Sequence, residues 1–173
     1  EREFWWDELE RLLLAPAELP QSLNLKLNGT SLNWNANNSR EQLYQQLGDS
    51  LRLLPSAKRF DILGELQQWS GLVATPRQSH RALSHEEIRQ LADGGLVEIG
   101  AHTVTHPVLS AIPPAQQQQE ISESKVQLEQ ILNQPVVSFA YPYGTRDDYN
   151  RDSVEIVKQT KFSCACSNFK GVV

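Results

Sequence analysis

The residues most able to do chemistry lie in Leu96-Val-Glu-Ile-Gly-Ala-His102-Thr103-Val104-Thr105-His106-Pro107. Two imidazoles four positions apart can meet on one metal ion from a helix, where i and i+4 share a face, or from an extended loop. The residues between them choose the loop. Thr103, Val104 and Thr105 are β-branched and lose side-chain freedom in a helix, and Pro107 biases His106 away from the α region. Leu96, Val97 and Ile99 then read as a short buried strand with Glu98 as its one charge. Gly100-Ala101 let the backbone turn tightly before the first histidine.

A second stretch, Phe139-Ala140-Tyr141-Pro142-Tyr143-Gly144, again lies at the end of a largely apolar strand, Val136–Ala140. Pro-Tyr-Gly by itself is ordinary turn chemistry. In this order, with a helical segment between, the two stretches resemble the second and third motifs of the NodB-type polysaccharide deacetylases. That group includes chitooligosaccharide and peptidoglycan deacetylases. The resemblance covers roughly the second half of the chain.

The resemblance implies that His102 and His106 are two ligands of a zinc ion or another divalent transition metal. Thr103 stands at the family's Ser/Thr position and would hold the histidine loop by a hydrogen bond. Pro142, Tyr143 and Gly144 would line the substrate site, with the Tyr143 backbone N–H donating to a developing oxyanion. The implied partner is an acetylated polysaccharide or oligosaccharide, and the implied reaction is hydrolysis of its N- or O-acetyl groups. Such hydrolysis needs an activated water, a polarised carbonyl and an acid for the leaving group. A zinc-like ion supplies the first two, lowering the pKa of bound water from ~15.7 to about 7.

This sequence also departs from the pattern. The family's first motif, Thr-Phe-Asp-Asp, supplies the base and an aspartate ligand, and nothing like it occurs here. Asp147-Asp148 is the only Asp-Asp pair, but it follows the third motif and reads as a solvated loop. The late Leu-x-His motif is missing, since no histidine follows His106. The arginine that usually opens the third motif falls at Ala140, and Arg146 is the nearest arginine. The expectation is therefore an internal or truncated piece, its third metal ligand lying outside this chain and its residues incomplete for catalysis. The rival readings are a catalytically inactive carbohydrate-binding module, using Trp5, Trp6, Trp34 and Tyr143 as platforms, and a structural domain whose histidines satisfy backbone groups.

The elements that must position these residues are legible from spacing. Ser84 with Glu87 three on forms a capping box for a helix carrying Ile88, Leu91 and Ala92 and ending at Gly94-Gly95. After the histidines, Pro113-Pro114 opens a long helix with Ile121, Leu128, Ile131 and Leu132 inward and Gln116 to Gln119 solvated. Val136–Ala140 reads as a strand, Ser153–Gln159 as a helix and Phe162–Cys166 as a strand that buries Cys164 and Cys166. Helix and strand alternate, the pattern of a parallel α/β fold in which ligands sit at the carboxyl ends of strands. The resemblance makes this part of a distorted (β/α) barrel of the NodB type over residues 84–173.

Residues 1–83 read as a helical and hairpin insertion or accessory region. Trp5, Leu9, Leu12 and Leu13 form a helical stripe ended by Pro16, with Trp5 and Trp6 read as core. Leu23, Leu25 and Leu27, then Asn28-Gly29, then Leu32 and Trp34 are a hairpin signal; the turn explains Asn28-Gly-Thr without invoking its glycosylation sequon. Ser39 and Gln42 cap one helix, another runs to Gly71, and Ala74 to Arg81 read as a polar linker. His80 and His85 are expected at the surface.

Composition sets the outer bounds. The chain has 173 residues, 39% hydrophobic, enough for an ordinary core. A formal charge of −5 leaves no basic stripe and argues against nucleic acid or an anionic membrane as partner. No apolar run approaches the ~20 residues of a membrane span. The first residue is Glu1 and the chain contains no methionine, so it reads as cut from something longer. No compartment can be assigned.

Overall fold

Leucine spacing builds the N-terminal part of the chain. In α1 (Trp5–Leu14), Leu9, Leu12 and Leu13 share one face and are fully buried, while Asp7 and Glu8 oppose the positive end of the helix dipole. β1 (Ser22–Leu27) and β2 (Thr30–Asn35) pair antiparallel with Leu27 opposite Thr30, the two-residue connection expected of Asn-Gly. Alternation turns Leu23, Leu25 and Leu27 inward. Ser39 caps α2 (Arg40–Leu51) by accepting from Gln42 N at 3.2 Å, and α3 (Ser56–Ser70) ends at Gly71 in the left-handed region. α1 packs on both α2 and α3, and their leucines merge with the inner face of the hairpin into one core.

The computed structural model describes residues 3–16, 18–27, 29–72 and 75–169. Asn28, with its sequon, and Ala74, where the expected linker begins, lie outside these. The chain divides into two compact units, Glu1–Ala82 and Leu83–Val173.

The segment expected as a plain linker closes the first unit on itself. Arg77 holds the buried Glu3 carboxylate through Nη2–Oε2 at 2.9 Å, Nε–Oε1 at 3.2 Å and its own backbone N–H, and Arg81 bridges the Glu3 backbone. Burial pushes the Glu3 carboxyl up, but the Arg77 hydrogen bonds and charge outweigh that and hold it below the usual carboxylate range. Trp5, Trp34 and Trp69 serve the core here, while Trp6 stacks on the exposed Phe4. Trp5 packs against the core beneath the Arg59 guanidinium, 5.5 Å away. Trp34 is buried, donates Nε1–H to the Ser39 carbonyl at 3.3 Å and meets Trp69 edge-on, so it cannot be a sugar platform.

In the second unit the Ser84–Glu87 capping box forms in both directions and starts α4 (His85–Ala92). Then follow α5 (Pro114–Leu132), β3 (Ser138–Ala140), α6 (Arg151–Gln159) and β4 (Cys164–Cys166). β3 and β4 are parallel, and Ala101 bridges Phe139 in parallel on the other side. Three successive segments thus lie side by side with α5 and α6 as their connections, a mixed α/β arrangement. Phe139 is at the centre of the core, with Ile121 of α5 and Ile156 and Val157 of α6 around it. Among the described residues the sheets are two-stranded, with no closed barrel. No helix there is long and apolar enough to cross a membrane.

Expectations about the elements of this unit fail at three places. Leu96 to Ile99 form no strand; Leu96 is 97% exposed, because only Ala101 finds a ladder partner. Cys164 and Cys166 are exposed free thiols on an edge strand, not buried residues. Gln117 is fully buried while its three glutamine neighbours are exposed: its Oε1 accepts from Ser153 Oγ at 2.6 Å and its Nε2 donates to the Ile112 carbonyl at 3.1 Å, tying α5 to α6. A buried amide is tolerated when its polar atoms are satisfied.

Candidate metal centre

The histidine pair sits on a loop. His102 follows the Ala101 bridge directly, and its Nδ1 lies 2.8 Å from the carbonyl oxygen of Ala140 at the end of β3. A carbonyl only accepts, so Nδ1 carries the proton and Nε2 keeps its lone pair for a ligand. The His106 ring lies 4.7 Å from the His102 ring, centroid to centroid, and 4.7 Å from the Tyr143 ring, nearly perpendicular to both. The two motifs, far apart in sequence, therefore meet at His106.

The loop between the histidines is unusual. Thr103 and His106 have φ of 66° and 55°, a left-handed conformation that is a genuine outlier for a β-branched residue. Thr103 Oγ1 accepts from His106 N at 3.2 Å. Glu120 of α5 accepts from Val104 N and Thr105 N, each at 2.8 Å, and from Thr105 Oγ1 at 2.6 Å. Nothing in the sequence around Glu120 marks it as part of the site.

The second loop is fixed by close approach. Gly144 has φ +73°, and a Cβ there would stand 2.7 Å from Asn168 N and 3.2 Å from the Tyr141 carbonyl oxygen. Its N–H donates to the Pro142 carbonyl at 2.6 Å and its carbonyl accepts from Asn168 N at 2.8 Å. Asp148 is not the solvated residue expected. It is 1% exposed, and its Oδ2 accepts from Thr145 N at 2.9 Å and Thr145 Oγ1 at 2.5 Å, locking the exit of the Pro-Tyr-Gly turn. Asp147 is exposed, though its carbonyl accepts from Ser110 Oγ. Arg146 stacks on Phe169 at 4.7 Å. Beneath the turn Tyr141 stacks on Tyr149 at 4.0 Å; burial, then the neighbouring phenol, push the Tyr141 hydroxyl up to about 12.

The donor set of two imidazoles suits zinc or a comparable transition ion, and the His102 tautomer suits a ligand at Nε2. Among the described residues no third histidine, cysteine or carboxylate gathers with this pair. The grouping of such side chains found there is Asp7, Glu10 and His80 in the first unit, with ligand atoms within 4.8 Å of one another. His80 is half-buried rather than at the surface, with Ser79 Oγ 2.8 Å from its Nδ1, while the exposed His85 begins α4. The Arg77 guanidinium stands 3.9 Å from Glu10 and donates to the Asp7 carbonyl at 2.9 Å, so a fixed cation already occupies this neighbourhood.

With both loops in view, the profile of the polysaccharide deacetylase family matches residues 66–165, more than half of the chain, from α3 through both motifs into β4. The chain belongs to the polysaccharide deacetylase family. Among relatives, YxkH of Bacillus subtilis (strain 168), whose name assigns it to the same family, is 27% identical over 89 residues, 51% of this chain and 30% of YxkH. Among solved structures, the Streptococcus pyogenes deacetylase PplD in complex with acetate is 29% identical, with a TM-score of 0.44 over 49% of this chain and 36% of that one. The chain thus spans about a third of the length of the deacetylases it matches. The carbonyl of Ala140, within the matched residues, is the acceptor for His102.

Proposed function

We propose that the second unit carries part of the active site of a metal-dependent carbohydrate deacetylase, one that removes N- or O-acetyl groups from an acetylated polysaccharide or oligosaccharide. The observation that carries this reading is the meeting of His102, His106 and Tyr143 from two loops at the ends of adjacent parallel segments. His102 and His106 would hold a zinc ion or another divalent transition metal. When bound, such an ion polarises a carbonyl and acidifies water. Thr103 holds the loop by its bond to His106 N. The Tyr143 N–H would donate to the oxyanion, and Pro142, Tyr143 and Gly144 would line the sugar site.

Catalysis by these residues alone would be incomplete. A third ligand, a base and an acid must come from outside this chain, in a parent whose fold would be the full (β/α) barrel, with the first unit as an insertion. The exposed residues Leu96 to Glu98 and the exposed β4 support that reading, since among the described residues the first pair with no strand and the second pairs with β3 alone. The rival, an inactive sugar-binding module built on tryptophans, loses Trp34 to the core.

The test is zinc affinity and metal content of the purified chain, with His102→Ala/His106→Ala as control. Zinc bound by the chain and lost in the double variant supports the reading. Sugar affinity that ignores chelators and survives the double variant would replace it with the binding-module reading. Robust deacetylation of an N-acetylglucosamine oligomer by these 173 residues would overturn the claim of incompleteness.

A further inference from the structure

We infer that Glu120 is the positioning residue for the histidine pair, an inference that rests on the metal-dependent reading above. Both carboxylate oxygens are engaged by the histidine loop: Oε2 by the N–H groups of Val104 and Thr105, and Oε1 by the Thr105 hydroxyl. Successive N–H groups converging on one anion form a concave backbone nest. This nest exists because the chain turns through the left-handed region on both sides of it, at Thr103 and at His106. Such residues are strained and persist only where their surroundings over-determine them. The Thr103 hydroxyl supplies one tie, to His106 N, and Glu120 supplies three more.

The anchor is firm because its helix is. Ile121, the next residue, is fully buried in the core of the unit, and Gln117, one turn earlier, is locked to Ser153 of α6. Glu120 therefore fixes a loop of strained conformation to a helix anchored in the core of the unit, and the imidazoles at either end of the nest inherit that fixity. The same bonds keep Glu120 from serving as the missing carboxylate ligand. Its oxygens are turned to the loop backbone, and it does not gather with His102 and His106 into a ligand set.

The test measures zinc affinity by competition with a chromophoric chelator, and the visible absorption of the cobalt(II)-loaded chain, for the whole chain and its variants. Glu120→Ala is expected to weaken zinc binding roughly 10–100-fold, the usual effect of removing an outer-sphere support, and to change the cobalt spectrum. Glu120→Gln, whose amide oxygen still accepts from both N–H groups, is expected to restore most of the affinity and the spectrum. Thr105→Val removes only the hydroxyl bond and should shift both readouts less, in the same direction. A merely structural glutamate would lower the unfolding midpoint yet leave the cobalt spectrum of the folded variant unchanged. That result in Glu120→Ala, or in Thr105→Val should Glu120→Ala not fold, overturns the inference. If the unsubstituted chain binds no zinc, or binds it equally without both histidines, the metal reading fails and this inference fails with it. That outcome differs from the first, in which zinc binding is histidine-dependent but indifferent to Glu120.

Discussion

His102 Nδ1 points at the carbonyl oxygen of Ala140, 2.8 Å away. The contact joins the first residue after one parallel segment to the last residue of the next, so the orientation of the imidazole is set by the sheet itself. Because the acceptor is a backbone carbonyl, no substitution of the Ala140 side chain removes it.

This contact predicts the tautomer. ¹⁵N NMR of the neutral imidazoles should find His102 with its proton on Nδ1, and added zinc should perturb Nε2. A dominant Nε2–H form in the metal-free chain would contradict the assignment.

Gly144 should tolerate no side chain. Alanine there meets a left-handed φ and a backbone nitrogen at 2.7 Å, whereas Gly95, with φ +67°, has nothing within 4 Å of its would-be Cβ. Adding the left-handed penalty to overpacking gives a loss of about 2–5 kcal/mol for Gly144→Ala, against about 1–2 kcal/mol for Gly95→Ala. Urea unfolding followed by circular dichroism compares the two, and equal losses would mean that the loop yields easily.

The part of this architecture that the sequence discloses is the part encoded within a few residues. Ser84 with Glu87 and Leu23-x-Leu25-x-Leu27 before Asn-Gly each fix their own conformation locally, and the β-branched spacer between the histidines excludes a helix there without fixing the left-handed turn it adopts. What is not disclosed depends on a neighbour distant in sequence. Leu96-Val-Glu-Ile99 has strand chemistry, but burial needs a flanking strand that composition cannot supply. Gln117 looks like a solvent-facing residue because its partner, Ser153, becomes visible only when the chain has folded. Asp148 is the exception, since its partner Thr145 stands three residues away and the pair is a local turn signal. Glu120 escapes for the same reason as Gln117, with its loop fifteen residues away. In the first unit Arg77 hides in a polar run whose partner, Glu3, is at the opposite end.

That ion pair predicts a pH dependence for the first unit. The Glu3 carboxyl is held below its ordinary value of 4.5 in the folded chain, so on acidification the unfolded state takes up the proton first. The stabilisation is complete above 4.5 and is lost as pH falls through the lower folded value. All four tryptophans lie between Trp5 and Trp69, so tryptophan fluorescence follows this unit's unfolding. Glu3→Gln should cost about 1–3 kcal/mol at neutral pH, the scale of hydrogen bonds to a charged group, and should flatten the acid limb of the stability curve. An unchanged acid limb would show that other carboxylates govern it.

The last prediction concerns the tie between α5 and α6. Ser153 does two jobs: its N–H and hydroxyl complete the Asn150 capping box, and the same hydroxyl donates to the buried Oε1 of Gln117 at 2.6 Å. Ser153→Ala leaves that oxygen buried without its donor and also removes half of the cap, so a loss of about 1.5–4 kcal/mol is expected. Gln117→Leu removes the amide and leaves the serine to its cap, but it also strips the donor from the Ile112 carbonyl and should cost less than Ser153→Ala. The double variant separates the pair energy from the cap energy, since only the former is shared. A coupling of at least about 0.5 kcal/mol is the expected result for residues in direct contact. Strict additivity would mean that the helices hold by Ile121, Ile156 and Val157 alone, and that the polar tie is incidental to the platform beneath the histidine loop.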